Sequence, residues 1–166
     1  MQTFFCKCQD PMLVYKVMTA TGHAIIGTAI AAKVGDPVLA VPLALASHIV
    51  ADAIPHWDTA THLNKKGRKK AIVHSVVDVI LGFGLSYLII LFLFPETNIA
   101  YALILIFVSQ SPDWLMVPYR LFNINFFLFR WSYRFQKIFD NTMDKPWGII
   151  NQIVALVLLL ILAKII

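Results

Sequence analysis

Long apolar blocks constrain the fold of this chain more than any other feature. Hydrophobic residues fill 59% of its 166 positions and charged residues only 14%, whereas soluble domains carry about 25% charged residues. A membrane-spanning helix needs roughly 20 mostly apolar residues. Four or five stretches are long enough, and they cover residues 12–32, 37–54, 71–94, 99–111 and 148–166, of which the fourth is short. The sequence therefore predicts an all-α, polytopic membrane bundle of about five helices, with a polar leader over 1–11 and one transmembrane domain over 12–166.

A further segment mixes aromatic residues with cations instead of being uniformly apolar. Residues 120–139 read RLFNINFFLFRWSYRFQKIF. Such a composition is typical of a helix that lies in the membrane interface, with its rings toward lipid and its cations toward the headgroups. We therefore expect an interfacial amphipathic helix in addition to the spanning helices.

The distribution of positive charge predicts the orientation of the bundle. Twelve of the fourteen basic residues fall at the N-terminus, in the loop around HLNKKGRKK, or between the fourth and fifth apolar segments. Loops rich in Lys and Arg face the cytoplasm, so we expect a multi-pass protein of the inner, cytoplasmic membrane with its N-terminus inside. Anionic lipid headgroups explain the basic loop, and a nucleic-acid partner is not expected.

The N-terminal leader and the basic loop contain three residues to which we assign no role. Cys6 and Cys8 form a CxC pair, but two thiols alone make a poor metal site, and His62 has no neighbouring ligand residues. The start of the chain also lacks the basic region, apolar run and small-residue cleavage site of a removable signal peptide. These residues therefore stay outside the predicted site.

Ionisable residues within or directly after the apolar segments carry the chemical signal. Placing such a residue at the centre of a membrane helix costs about 2.5–3.5 kcal/mol. Residues of this kind are therefore found where they have interaction partners and a function. The histidines and aspartates among them are, in chain order, His23, His48, Asp52, His56, Asp58, His74, Asp78 and Asp113. If the basic loop is cytoplasmic, all eight lie toward the inner side, and we expect them to gather there around one cavity.

The spacing of these residues indicates how they could act together. His48 and Asp52 are four residues apart, as are His74 and Asp78, so each pair shares one helix face. Each pair can supply two metal ligands, or a ligating histidine with its carboxylate partner. The alternative is a structural hydrogen-bonded network, in which His23 is a satisfied polar residue and Asp113 only a helix cap.

A metal site is the interpretation that uses the whole set. Mixed His and carboxylate ligands suit Zn²⁺ best, with Mn²⁺ or Fe²⁺ as alternatives. The eight candidate residues exceed the four ligands of one tetrahedral zinc, which favours a site with two ions. The residues assigned as metal ligands are His23, His48, Asp52, His56, His74 and Asp78. Asp58 and Asp113 remain as candidate catalytic bases, and His48 and His74 are expected to matter most for metal binding.

At these residues the chain resembles the predicted membrane-bound metal-dependent hydrolases and, more loosely, the zinc-dependent phospholipase C enzymes. The resemblance rests on His23, on SHIVADAIPHWD with its HxxxDxxPHxD pattern, and on HSVVD, and it covers roughly residues 21–114. It implies a helical membrane protein with a zinc-type hydrolase site. The substrate of the secreted phospholipases does not transfer with it.

Three functions compete for this pattern. The first is a metal-dependent hydrolase that acts on an amphipathic substrate, such as a phosphoester or another lipid, at the cytoplasmic face. The second is an ion or proton transporter, since intramembrane Asp and His also mark ion paths, but the outer halves of the segments hold almost no polar residues. The third is a non-catalytic membrane scaffold that is stabilised by a bound metal, which requires a closed ligand shell.

The chain does not match the lipid phosphatases that also use an HxxxD motif. These enzymes need an arginine six residues before the histidine, where this chain has Pro42.

Overall fold

A computed structural model describes residues 18–57 and 68–166, excluding the side chain of Arg68. These residues form six helices and no strand. The helices are α1 (Ala20–Lys33), α2 (Pro37–Ala53), α3 (Arg68–Leu93), α4 (Ile99–Phe122), α5 (Phe127–Phe139) and α6 (Trp147–Ile165). The prediction of an all-α bundle is confirmed. Three helices, α3, α4 and α6, are long and apolar enough to cross a membrane.

The first two predicted spans are shorter than a bilayer needs. Within the described residues α1 begins at Ala20, after the N-cap Thr19, and has 14 residues. At 1.5 Å per residue this helix is about 21 Å long, against a hydrocarbon core of about 30 Å. Helix α2 is apolar but has only 17 residues. The two helices that begin the bundle are therefore shorter than the three helices that are long enough to cross a membrane.

Helix α1 forms the centre of the bundle. It packs against α2, α3, α4 and α6, and nine of its residues are buried. Small residues allow the close approach: a Cβ on Gly27 would lie 2.7 Å from Ser109 Oγ and 2.9 Å from the carbonyl oxygen of Leu105. Membrane helices associate through such small-residue contacts because lipid offers no hydrophobic driving force.

Helix α4 continues further than the fourth apolar segment, which was predicted to end near residue 111. It passes through Pro112 and Pro118 and ends at Phe122. Pro112 lacks the N–H that would bond the carbonyl of Val108, and the hydroxyl of Ser111 donates to that carbonyl at 2.8 Å instead. The helix therefore continues past the proline and includes Asp113, one of the predicted site residues.

The predicted aromatic and basic segment is divided between two helices. Asn123 adopts a left-handed conformation with φ 56°, which ends α4, and α5 begins at Phe127. Helix α5 is amphipathic. It buries Ser132 and Gln136, whose side chains donate to the carbonyl of Pro112 at 3.4 and 2.8 Å, and its exposed apolar residues are Phe127, Leu128, Trp131 and Ile138.

We expect the substitution Gly27→Ala to destabilise the bundle by about 1–3 kcal/mol, the usual cost of overpacking a filled interior. The added methyl group would press on backbone atoms of α4, which cannot rotate away. Gly84→Ala in α3 is the matched control, because a Cβ there meets nothing within 4 Å, and it should be neutral or stabilising by up to about 1 kcal/mol. Unfolding of the two purified variants in detergent checks this, and equal stabilities would contradict the close α1–α4 packing.

Candidate metal centre

Four of the predicted site residues meet at one buried point of the bundle. His23 comes from the first turn of α1, His48 and Asp52 from the last turns of α2, and Asp113 from α4. The imidazoles of His23 and His48 stack with their centroids 3.9 Å apart and their planes at 19°, so that both Nε2 atoms face the same two carboxylates. Both histidine side chains are fully buried, and those of Asp52 and Asp113 are 3% and 14% exposed.

The two carboxylates approach the two histidines to different distances. Asp52 places one oxygen 3.3 Å from His23 Nε2 and the other 3.4 Å from His48 Nε2. Asp113 places its oxygens 3.8 Å from His23 Nε2 and 3.5 Å from His48 Nε2. One ligand atom from each of His23, His48 and Asp113 lies within 4.8 Å of the other two. This group can therefore hold a metal ion.

Backbone contacts fix the protonation and orientation of His48. Its Nδ1 lies 2.7 Å from the carbonyl oxygen of Ser109. A carbonyl only accepts, so Nδ1 must carry a proton, and Nε2 is the ring nitrogen that faces the carboxylates. Ser109 also donates its hydroxyl to the carbonyl of His23 at 2.8 Å. A carbonyl partner on the far nitrogen is the usual support of a metal-ligating histidine.

Ser109 was not among the residues predicted from the sequence. It precedes Asp113 by four residues, so that both lie on one face of α4, and this spacing was the available signal. Asp52 is supported in a similar way, since its carboxylate accepts the backbone N–H of Met18 at 3.2 Å. Backbone groups of neighbouring elements thus help to position the side chains of the site.

Charge balance and distance together favour a cation at the centre of this group. The negative charge of two carboxylates buried side by side is costly in a low dielectric unless a cation or a proton on an imidazole balances it. Proton-mediated bonds between charged nitrogen and oxygen atoms are about 2.7–2.9 Å long, shorter than the four contacts here. Two ligands on one tetrahedral zinc, with bonds of 2.0–2.1 Å, are separated by roughly 3.3–3.4 Å. Each Asp52 oxygen lies at about that separation from one of the two imidazole nitrogens.

His56 lies beside this group but outside it. It is fully buried, and the charges of Asp52, His23 and Asp113 act on its ring. Its Nδ1 lies 2.7 Å from the carbonyl oxygen of Ile54, which leaves Nε2 as the lone-pair nitrogen, and this atom is buried without a hydrogen-bond partner. Burial lowers the pKa of His56 below its ordinary value, which keeps the ring neutral at neutral pH.

The structure does not bring His74 and Asp78 into the group, although their spacing repeats that of His48 and Asp52. His74 is exposed on α3. Asp78 is buried, but its carboxylate accepts the backbone N–H of Ala20 and the hydroxyl of Thr21, both at 2.7 Å. It therefore satisfies donors at the start of α1, which would otherwise have no partner inside that helix. Asp58, Cys6, Cys8 and His62 lie outside the described residues.

Comparisons of this chain with protein-family models, with curated proteins and with solved structures found no match.

Proposed function

We propose that this protein is a membrane-bound metal-dependent hydrolase that acts on an amphipathic substrate, a phosphoester or another lipid, at the cytoplasmic membrane face. The observation that carries the proposal is the buried group of two histidines and two carboxylates, whose Nε2 atoms and oxygens converge without direct hydrogen bonds. Zn²⁺ suits this mixed ligand set best, with Mn²⁺ or Fe²⁺ as alternatives. The proposal uses one ion, because His74 and Asp78 lie outside the group.

The two carboxylates take different roles in this proposal. His23, His48 and Asp52 would hold the ion, because the two Asp52 oxygens lie 3.3 Å from His23 Nε2 and 3.4 Å from His48 Nε2, the shortest carboxylate contacts of the group. Asp113 is more exposed and lies further from the two nitrogens, so it acts as the general base beside the fourth position. A divalent ion there supplies Lewis acidity and lowers the pKa of a bound water toward 7.

The proposed orientation places the metal centre on the cytoplasmic side. The start of α1, the end of α2 and the start of α6 share one end of the bundle, since Asn141 N–H donates to the Asp52 carbonyl and Gln152 to the Thr19 hydroxyl. The opposite end joins α1 to α4 through Tyr101 and the Val34 carbonyl. The exposed basic residues Lys69, Lys70 and Arg134 belong to elements at the metal end, which supports a cytoplasmic location.

A single cysteine introduced at Lys70 should react with an impermeant maleimide only after cells are permeabilised, whereas one at Thr97 should react in intact cells. Cys6 and Cys8 are replaced by serine in both proteins so that no native thiol contributes. Labelling of position 70 from outside would reverse the proposed orientation.

The test of the hydrolase proposal is a chelation and reconstitution experiment on the purified protein. We expect about one zinc, manganese or iron ion per chain by elemental analysis, and hydrolysis of phospholipids in mixed micelles, with products identified by mass spectrometry. Removal of the ion by a chelator should abolish hydrolysis, and return of the ion should restore it. If the protein bound no metal after purification or reconstitution, the hydrolase proposal would be rejected, and the buried group would be interpreted as a structural polar network.

One observation favours a second candidate, a non-catalytic scaffold stapled by metal. Four protein ligands close the shell of a structural zinc, whereas a catalytic zinc keeps an open position, and this group contains four ligand residues. In that case the ion remains bound, removal of the ion lowers stability, and no lipid is hydrolysed. The same chelation experiment separates the two functions when the unfolding temperature is measured alongside the products.

A further inference from the structure

A lateral groove runs along the membrane-facing side of the bundle beside the metal centre. Helices α2 and α6 both pack on α1 but not closely on one another, which leaves a cavity of about 240 Å³ between them. Ala51 and Ile54 of α2 form one wall, Ala155 and Leu159 of α6 form the other, and Ile26 of α1 contributes to the floor. A cavity between two membrane helices that do not close on each other is accessible from lipid.

The groove is apolar along its walls and polar at the end near the metal centre. His56 and Gln152 line it, and the buried Nε2 of His56 has no hydrogen-bond partner. The rim residue Val50 is 63% exposed, so the groove opens on the outer surface of the bundle. An amphiphile fits this arrangement, with its apolar chain between α2 and α6 and its polar end at His56, next to Asp52.

We infer that this groove binds one acyl chain of a membrane lipid and directs the attached ester or headgroup toward the metal centre. The inference rests on the proposed function, because it names the substrate class of that site. It also identifies His56 as a residue that contacts the polar part of the lipid. Apolar walls bind the chain through burial of its methylene groups, while the polar end lies beside the His56 imidazole at the end of the groove.

The test uses the purified full chain in phosphatidylcholine vesicles that contain a phospholipid with a diazirine on one acyl chain. After irradiation, adducts are located by mass spectrometry. We expect the groove residues Leu156 and Leu159 to be labelled several-fold more than Val154 and Ile161, which lie on the opposite, exposed side of α6. Ala155→Trp should abolish the excess by filling the groove, whereas Val154→Trp, at the same depth on the lipid-facing side, should preserve it.

Ser47→Phe narrows the groove from α2 and provides a second blocking variant if Ala155→Trp does not fold. Equal labelling of both sides of α6, or an excess that survives both blocking variants, would show bulk lipid contact only and overturn the inference. Labelling does not require metal or hydrolysis. A metal-loaded, active protein without the excess would therefore reject the groove alone, and groove labelling in a protein without metal would reject the hydrolase alone.

Discussion

Replacing His48 with glutamine is expected to remove the metal ion from the purified protein. His48 is fully buried, and its Nδ1–H is engaged by the Ser109 carbonyl, so that Nε2 is the free ligand atom. Loss of an outer partner of a metal ligand already costs about 10–100-fold in affinity, and loss of the ligand itself should cost more. Glutamine keeps a similar length and an amide donor for Ser109, which limits the effect on folding.

The control for this experiment is His74→Gln. The two histidines have the same HxxxD context in the sequence, but His74 is exposed on α3. Elemental analysis should find the parental metal content in the His74 variant and less than about a tenth of it in the His48 variant, in line with the loss expected above. Equal loss from both variants would place the ion elsewhere and return His74 to the ligand set that the sequence suggested.

Replacing Asp113 with asparagine is expected to abolish hydrolysis while most of the metal remains bound. A general base contributes about 10²–10⁴-fold to rate, and asparagine cannot accept the proton. Asp113 stands 3.5 and 3.8 Å from the two imidazole nitrogens and is partly exposed, so the ion depends on it less than on Asp52. Phospholipid hydrolysis and metal content are measured on the same preparation.

Asp52→Asn is the matched comparison, because it makes the same chemical change on the other side of the two histidines. Its carboxylate spans both Nε2 atoms at 3.3 and 3.4 Å and is almost completely buried. This variant should lose both metal and hydrolysis. If Asp113→Asn loses the metal while Asp52→Asn keeps it, the two carboxylates exchange roles, and the base must be sought at Asp52.

Sequence spacing predicted which residues share a helix face, but not which of these faces belong to the candidate site. His48 and Asp52 share a helix face because they are four residues apart, and this relation does not depend on the rest of the fold. His23 and Asp113 were placed at the same end by the charge distribution alone. The structure brings these four side chains together, whereas it does not add His74 and Asp78.

Two helix boundaries depended on the conformation of single residues, which the composition of the segment does not reveal. Pro112 indicated the end of the fourth segment, yet α4 continues because the Ser111 hydroxyl bonds the carbonyl that the proline leaves without its usual donor. Asn123 gave no strong signal, yet its left-handed conformation separates α4 from α5. In both cases a single side chain or backbone angle, and not the composition of the surrounding segment, determined whether the helix continues or ends.

By itself the sequence determined that the chain forms an all-α bundle with helices long and apolar enough to cross a membrane, because uninterrupted apolar length is a local property of the sequence. It also determined that HxxxD places a histidine and a carboxylate on one helix face. Only the tertiary structure decided where each face points. His48 and Asp52 turn toward α1 and α4, whereas His74 is exposed and Asp78 caps α1. Spacing fixes the angle between two side chains, but the direction of their common face is set by the packing of distant helices.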